Sequence, residues 1–474
     1  MTDLTHDDQA AQPPRQSMAR VASAAFVGSV IEYYDFMIFA TAATLVFGEV
    51  FFPALGTAEA TVASLLTIGV AFMARPIGSI VFGHLGDRLG RKRSLVATLL
   101  LMGSATILVG LMPTPAQIGI AAPILLVVLR IAQGISAGGE WAGAALFSAE
   151  ESPTKRRGFF SMFPSFGGGV GLIIAPGAFL LVNTFTTEEQ FLEWGWRIPF
   201  LASAVLIAIG LWIRLRLEEP AAFKEVKKES TVAQVPVVEA FKYQWHHILL
   251  AALSVSGAFA LLYIGLTYLI GYGTSEIGLS RDYVLVVATI GSAVEIVGVA
   301  ITGWLSDRVG RRRIILWTSV LGLVWSIALA SFVSVDSEPT FIIGVLGSTF
   351  LAGLFFGPVG AYLPELFRTR YRFTATALSY NLAGIVGGAL PPVIAAWLIT
   401  DSAAIGQVGI ILGVVCLLSL ASTYALADRS KRSLTEVDDD ETFGGDGQPS
   451  AGQPVHETQD RDVDAADRVP SRLA

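Results

Sequence analysis

"GHLGDRLGRKR" at residues 83–93 returns as "GWLSDRVGRRR" at 303–313, 220 residues later. Each copy closes one long apolar run and opens the next. The order Asp-Arg-x-Gly-Arg repeats, and not only the positive charge, so the loop does more than mark one side of a membrane. A second echo links "GGVGLIIAP" (168–176) to "GIVGGALPP" (384–392), 216 residues apart. Two related halves follow from these offsets.

Composition says what surrounds them. The 474 residues are 53% hydrophobic and 15% charged, where a soluble domain carries roughly 25% charged residues. Runs such as "SLVATLLLMGSATILVGL" (94–111) are long enough to cross a bilayer as a helix. Twelve such spans are predicted, near 20–48, 59–83, 94–112, 119–148, 158–183, 198–213, 247–272, 283–305, 314–334, 341–364, 373–399 and 405–427. The charged stretch between the sixth and seventh divides them evenly. The expected organisation is a cytoplasmic segment 1–19, a six-helix bundle 20–214, a connector 215–246, a second bundle 247–427 and an acidic tail 428–474 that composition marks as disordered.

Sidedness follows from the basic residues. Of 32 Lys and Arg, only Arg197 and Arg281 fall in loops on one side, and Arg75 and Arg130 fall inside spans. The other 28 lie opposite, which makes that side, with both termini, the cytoplasm. The first 18 residues have no basic start or cleavage site of a signal peptide, so the first span is expected to remain. A lone Cys416 excludes an intrachain disulfide, and none of the five histidines lies deep in a span. No metal or other cofactor is expected. The net charge of −7 is largely the tail, with twelve acids and six Lys/Arg from Asp428 onward.

The paired loops resemble those of the major facilitator superfamily. Within it, "RPIGSIVFGHLGDRLGRKRSL", "RIAQGISAGGEWAGA", "EESPTKRRG" and "RLEEPAAF" are similar to the metabolite:proton symporter family. The likeness covers roughly residues 20–428, with Tyr33 and Ser29 where that family usually has Trp and Asn or Thr. It implies an all-α integral membrane fold of twelve helices in two six-helix bundles. It also implies proton-coupled uptake of a small carboxylate or zwitterion such as a shikimate-like, dicarboxylate, aromatic-acid or betaine compound. The loops then resemble a cytoplasmic gate built from Asp87, Arg88, Arg91, Glu150, Arg156 and Arg157, with Asp307, Arg308, Arg311, Glu365 and Arg368 in the other half. The superfamily's coupling pair, a first-helix Asp facing a fourth-helix Arg, matches Asp35 and Arg130.

The residues themselves raise the same issue. "SVIEYYDFMIF" (29–39) puts Glu32 and Asp35 on one face of the first span, at roughly 2.5–3.5 kcal/mol for each charge near the bilayer centre. Arg75, Arg130, Glu140 and Glu295 are also deep. At ~1.5 Å per residue, Arg75 and Glu295 each lie ~18 Å from Asp87 and Asp307. Short acids at that depth cannot reach water and must face a cavity or a partner. Four acids crowded against two arginines leave at least one acid to bind and release a proton, with Asp35 and Glu32 the candidates. Substrate contacts are expected from Arg75, Arg130, Tyr33, Tyr34, Glu140, Glu295, Tyr263 and Tyr380. The 220-residue offset maps Arg75 onto Glu295, which predicts a shared cavity and a pair across the halves. The rival is that Arg75 pairs within its own half while Glu295 titrates alone.

Other classes fit less well. No lysine follows a glycine, so there is no Walker A loop. "LIGYGT" (269–274) occurs once, whereas a potassium filter needs four such loops. "GLIIAPGA" (171–178) partly matches the antiporter glycine-proline motif, which keeps a proton-coupled exporter as the alternative. A transport-like sensor would need a signalling domain. Nothing suggests catalysis or nucleic-acid binding. The reading is therefore a monomeric, multi-pass transporter of the bacterial cell membrane, not an enzyme, whose partners are a small substrate, protons and lipid.

Overall fold

A computed structural model describes residues 17–220, 223, 236–275, 277–333, 338–391, 394, 405–429 and 434. The secondary structure among these residues is helical, joined by short turns. Its long helices are α1 (Met18–Leu45), α2 (Thr57–Leu89), α3 (Arg91–Leu111), α4 (Ala121–Glu151), α5 (Phe163–Phe185) and α6 (Arg197–Leu215). The second set is α7 (Pro236–Tyr263), α8 (Arg281–Val309), α9 (Arg311–Val333), α10 (Glu338–Glu365), α11 (Arg372–Ala383) and α12 (Ile405–Ala425). Eleven stretches among the described residues are long and apolar enough to cross a membrane. The expected span at 373–399 starts with α11 and continues through a π-helical turn at Gly384–Ala389; its end lies outside the described residues, as does nearly all of the acidic tail. The connector expected through residue 246 is already helical from Pro236, with a break at Gln244.

The duplication read in the sequence is visible in the packing. α1 packs on α5 and α6, α2 on α4, and α3 on α4 and α6. Shifted by six, α7 packs on α11 and α12, α8 on α10, and α9 on α10 and α12. The repeated loop explains itself locally. Gly90 (φ 122°) separates α2 from α3, and Gly310 (φ 99°) separates α8 from α9. A side chain is strained at such φ, so each motif turns the chain at its glycine.

Lipid offers helices no hydrophobic drive to associate, so close backbone approach at small residues supplies the contact. A Cβ on Gly138 of α4 would lie 2.1 Å from the Arg75 carbonyl oxygen of α2. In the second half, a Cβ on Gly357 of α10 would meet Thr302 Oγ1 of α8 at 2.2 Å. The halves then meet along two seams, α2 with α11 and α5 with α8. Symmetry-related helices therefore sit at different seams, and this decides the fate of the Arg75–Glu295 expectation below.

Gly138→Ala and Gly357→Ala should each lower the thermal stability of the detergent-solubilised protein, by about 1–3 kcal/mol as overpacking does. Gly177→Ala, whose Cβ meets nothing within 4 Å, should leave the melting temperature unchanged or raise it.

Candidate functional site

Asp87 closes α2, and its carboxylate crosses to the other half. It accepts from the backbone N–H of Phe373 (3.1 Å) and Thr374 (2.9 Å) and from Thr374 Oγ1 (2.7 Å). These are the second and third residues of α11, so Asp87 supplies the cap that helix lacks from its own sequence. Asp307 does the same to the short helix Arg157–Ser161 that precedes α5, accepting from Gly158 N (2.7 Å) and Phe159 N (2.9 Å). Each cap is held by the arginine four residues on, Arg91 to Asp87 and Arg311 to Asp307, both at 2.8 Å.

Two charge clusters grow around these caps. In one, Glu150 lies 3.4 Å from Arg91 and 3.3 Å from Arg372. In the other, Glu365 lies 2.9 Å from Arg157 and 3.5 Å from Arg311. The expected Asp87, Arg91, Glu150, Arg157, Asp307, Arg311 and Glu365 thus converge. Arg88, Arg156 and Arg308 do not, because their side chains are exposed at the helix ends, with Arg308 lying over the Trp304 ring. Arg368 is half-buried in the turn before α11, and it is Arg372 that occupies the cluster. Arg372 looks like one more positive-inside charge in the sequence; only its offset of 215 from Arg157, matching that of Glu365 from Glu150, signals its place. Glu219 of the "RLEEP" segment adds a cap on α3 through the N–H of Arg91 and Lys92. Burial raises its pKa above the usual carboxylate range, against the pull of the Arg91 N–H.

Above the latch the halves stay in contact. Asn381 Nδ2 donates to Ser79 Oγ (2.8 Å) and to the Gly138 carbonyl (2.9 Å). One residue nearer the latch, the Tyr380 ring stacks on Trp141 at 3.6 Å, and its hydroxyl lies 3.3 Å from that of Tyr33. Tyr263 belongs to the same neighbourhood, edge-on to Phe72.

Beside this stack, in the first half, a cavity is lined by Glu32, Asp35 and Phe36 of α1, Ala71 and Arg75 of α2, Met102 of α3, and Arg130, Gln133, Gly134 and Ala137 of α4. It is closed tightly enough to hold about one water molecule. Phe36 stands between two guanidinium groups, Arg75 at 5.2 Å and Arg130 at 4.8 Å from its ring centre. Phe72 backs Arg75 at 4.5 Å and Phe39 backs Arg130 at 4.0 Å. Aromatic faces hold a cation without neutralising it, so both arginines keep charge to offer. A cleft of about 420 Å³ opens at the opposite end from the latch, between Thr44 of α1 and residues such as Ile270, Leu279 and Val284 of the second half.

Asp35 and Arg130 are joined through a relay and not by a direct ion pair among the described bonds. Arg130 donates to Gln133 Oε1 (3.1 Å), Gln133 Nε2 to Thr106 Oγ1 (2.7 Å), and Thr106 Oγ1 to Asp35 Oδ2 (2.8 Å). Ser203 Oγ donates to Asp35 Oδ1 at 2.8 Å. Gln133 follows Arg130 by one helical turn, a spacing the sequence displayed; Thr106 and Ser203 carried no signal of their own. Glu32 Oε2 has no hydrogen-bond partner among the described residues.

Three expected contacts lie elsewhere. Tyr34 turns away from the cavity and donates to the Pro199 carbonyl at 2.9 Å. Glu140 is taken up by Arg214, which also reaches it at 3.0 Å through Nη1, and by Thr98 Oγ1 at 2.6 Å. Arg214 was read as lying just outside the sixth span, yet it is 1% exposed, drawn inward by that carboxylate. Gly28 makes room, since a Cβ there would fall 1.8 Å from Arg214 Nη2. Glu295 does not meet Arg75. No ion pair joins them among the described residues, because α8 borders α5 while α2 borders α11. The Glu295 Oε2 lies 3.7 Å from where a Cβ on Gly169 would stand.

Two matched six-helix halves, latched at one end over a charged cavity, define a membrane transporter and not an enzyme. The chain belongs to the Major Facilitator Superfamily, whose family profile matches residues 25–392. It is 39% identical over 442 residues to the inner membrane metabolite transport protein YhjE of Escherichia coli K12, covering 91% of this chain and 99% of that protein. It is 38% identical to the shikimate transporter of the same organism, over 87% of this chain and 95% of the relative. The proline/betaine transporter of Salmonella typhimurium is 34% identical, over 88% and 85%. Among solved structures, the proton:xylose symporter XylE bound to 6-bromo-6-deoxy-D-glucose superposes with a TM-score of 0.73 at 15% identity, over 89% of this chain and 98% of that one. The chain is thus a multi-pass cell-membrane transporter of metabolites.

If Glu140 is a structural partner of Arg214, Arg214→Met should destabilise the solubilised protein by about 3–5 kcal/mol, the cost of an uncompensated buried charge. Adding Glu140→Gln should restore most of the melting temperature. A double variant as unstable as the single one would contradict the pairing.

Proposed function

We propose that this transporter takes up a small organic acid or zwitterion together with protons, by alternating exposure of the cavity to either side. The observation that carries the reading is the pair of aromatic-backed guanidiniums, Arg75 and Arg130, facing one cavity with Glu32 and Asp35. Guanidinium forks suit a carboxylate, and buried acids beside them suit a proton. The named substrates of the relatives, shikimate and proline or betaine, carry a carboxylate, and the structural neighbour is a proton symporter.

In this reading Asp35 carries the coupling proton. The Gln133–Thr106 relay passes its charge state to Arg130, so that binding of substrate to the arginine and of the proton to the acid favour one another. Glu32 balances Arg75. Tyr33, Tyr263 and Tyr380 form the rim against which the second half closes. The large outer cleft and the shut latch support entry of substrate from outside. The driving force is the ion gradient, with no cofactor.

The test is uptake by proteoliposomes of radiolabelled shikimate, glycine betaine, proline and a dicarboxylate under an imposed inward proton gradient. At least one should accumulate, and a protonophore should abolish the accumulation. Asp35→Asn should lose accumulation while retaining exchange of the same label. Accumulation untouched by the protonophore, or retained by Asp35→Asn, contradicts the assignment. Net export driven by proton entry would make the chain an antiporter.

A further inference from the structure

The cavity leaves one deep acid unused. Glu295 stands on α8, 12 residues before Asp307, or ~18 Å from the cytoplasmic end of the helix. It is 4% exposed, and no donor reaches its Oε2 among the described residues. The side chain faces the α5–α8 seam, where Gly169 opens the only space a carboxylate needs; the adjacent Ile296 packs on the same glycine. On the other side a Cβ at Gly353 of α10 would stand 2.1 Å from the Glu295 carbonyl oxygen, so α8 is backed closely by α10.

Among the described residues no ion pair reaches Glu295; Arg157, on the short helix that also packs on α8, is paired with Glu365 at the latch. α5 has no titratable residue in its whole length. On α10 the nearest titratable residue, Tyr362, is nine residues from Gly353, about 14 Å along the axis; Glu338 and Glu365 are at the ends. Arg311, Arg312 and Arg313 sit at the cytoplasmic start of α9, and Tyr263 of α7 keeps company with Phe72 on the other seam. A bare carboxylate in such a place costs several kcal/mol. A metal cation needs several oxygen ligands, and no set of three acidic, His or Cys groups gathers among the described residues. A proton needs only one.

We propose that Glu295 is a second proton-binding site, carried by the α5–α8 seam and independent of the cavity. While the seam is shut the carboxyl keeps its proton. When α8 parts from α5 on the cytoplasmic side, water enters, the O–H proton passes to it, and the carboxylate remains hydrated in the open seam. Closure requires that a proton be taken up again. The shut-to-open equilibrium therefore depends on pH by one proton more than the cavity acids supply.

The experiment needs no substrate. Met162 at the cytoplasmic end of the seam is 5% exposed and packs on Gly303 of α8, so a cysteine there reports opening. Full-length protein carrying Cys416→Ser and Met162→Cys is reconstituted, and its labelling by an impermeant maleimide from the cytoplasmic face is followed across pH. Rates are normalised to a cysteine at exposed Arg156. By linkage, the slope of the logarithm of open over shut against pH counts protons, tenfold per proton and pH unit. Glu295→Gln should reduce the slope by up to one, Glu295→Asp should preserve it, and Asp35→Asn should leave the Glu295 share in place. A slope unchanged by Glu295→Gln, or a flat parent, overturns the seam site. Loss of slope in Asp35→Asn alone overturns it too while leaving the cavity reading intact.

Discussion

Everything in this molecule depends on an exchange of helix caps. A helix begins with backbone N–H groups that have no partner and a partial positive charge. Here Asp87 and Asp307 supply the missing acceptors, and each does so for a helix of the opposite half. The four residues to the following arginine bring one guanidinium onto each aspartate. Parting the halves at this end strips both helices of their caps at once and leaves the charge clusters of Glu150 and Glu365 incomplete. The shut state is held by interactions that water and lipid headgroups can partly replace, so the barrier is finite and the closure reversible.

The closure is layered. Below are the caps, then the stack of Tyr380 on Trp141, then the Asn381 bonds to Ser79 and the Gly138 carbonyl. All three layers on the α2–α11 side run through one short helix, whose first residues Asp87 caps. The cavity of Arg75, Arg130, Glu32 and Asp35 lies beyond the uppermost layer, next to Tyr33. A change in charge there is one hydroxyl contact away from the second half. On the α5–α8 side the deep acid at the seam is Glu295, whose proposed proton-binding role would tie the opening of that seam to hydration and protonation.

Much of this could be read in the chain. The duplicated loop gave the two halves, because motif order is a local property that a repeat makes visible, and the family resemblance implied the aspartate clusters. The deep acids and arginines could be singled out because a bilayer makes them expensive. What could not be read was which face each deep residue presents. Glu140 was indistinguishable from a cavity acid until Arg214, read as a cytoplasmic charge, proved to be folded inward through the space left by Gly28. The offset that maps Arg75 onto Glu295 equated depth correctly and position wrongly, since a twofold relation sends matched helices to different seams. Hydroxyl partners such as Thr106 and Ser203 look like any small residue in a membrane helix.

The central claim is that two reciprocal aspartate caps hold the latch end of the molecule shut. It is tested most directly by the distance between spin labels at exposed Arg156 and Arg308, one beside each half of the α5–α8 end, in protein freed of Cys416. The parent should show a dominant short separation. Asp87→Ala together with Asp307→Ala should move most of the population to a longer one, with either single variant between, because losing a few kcal/mol shifts a balanced two-state equilibrium nearly completely. A distance distribution identical in the parent and the double variant would contradict the account.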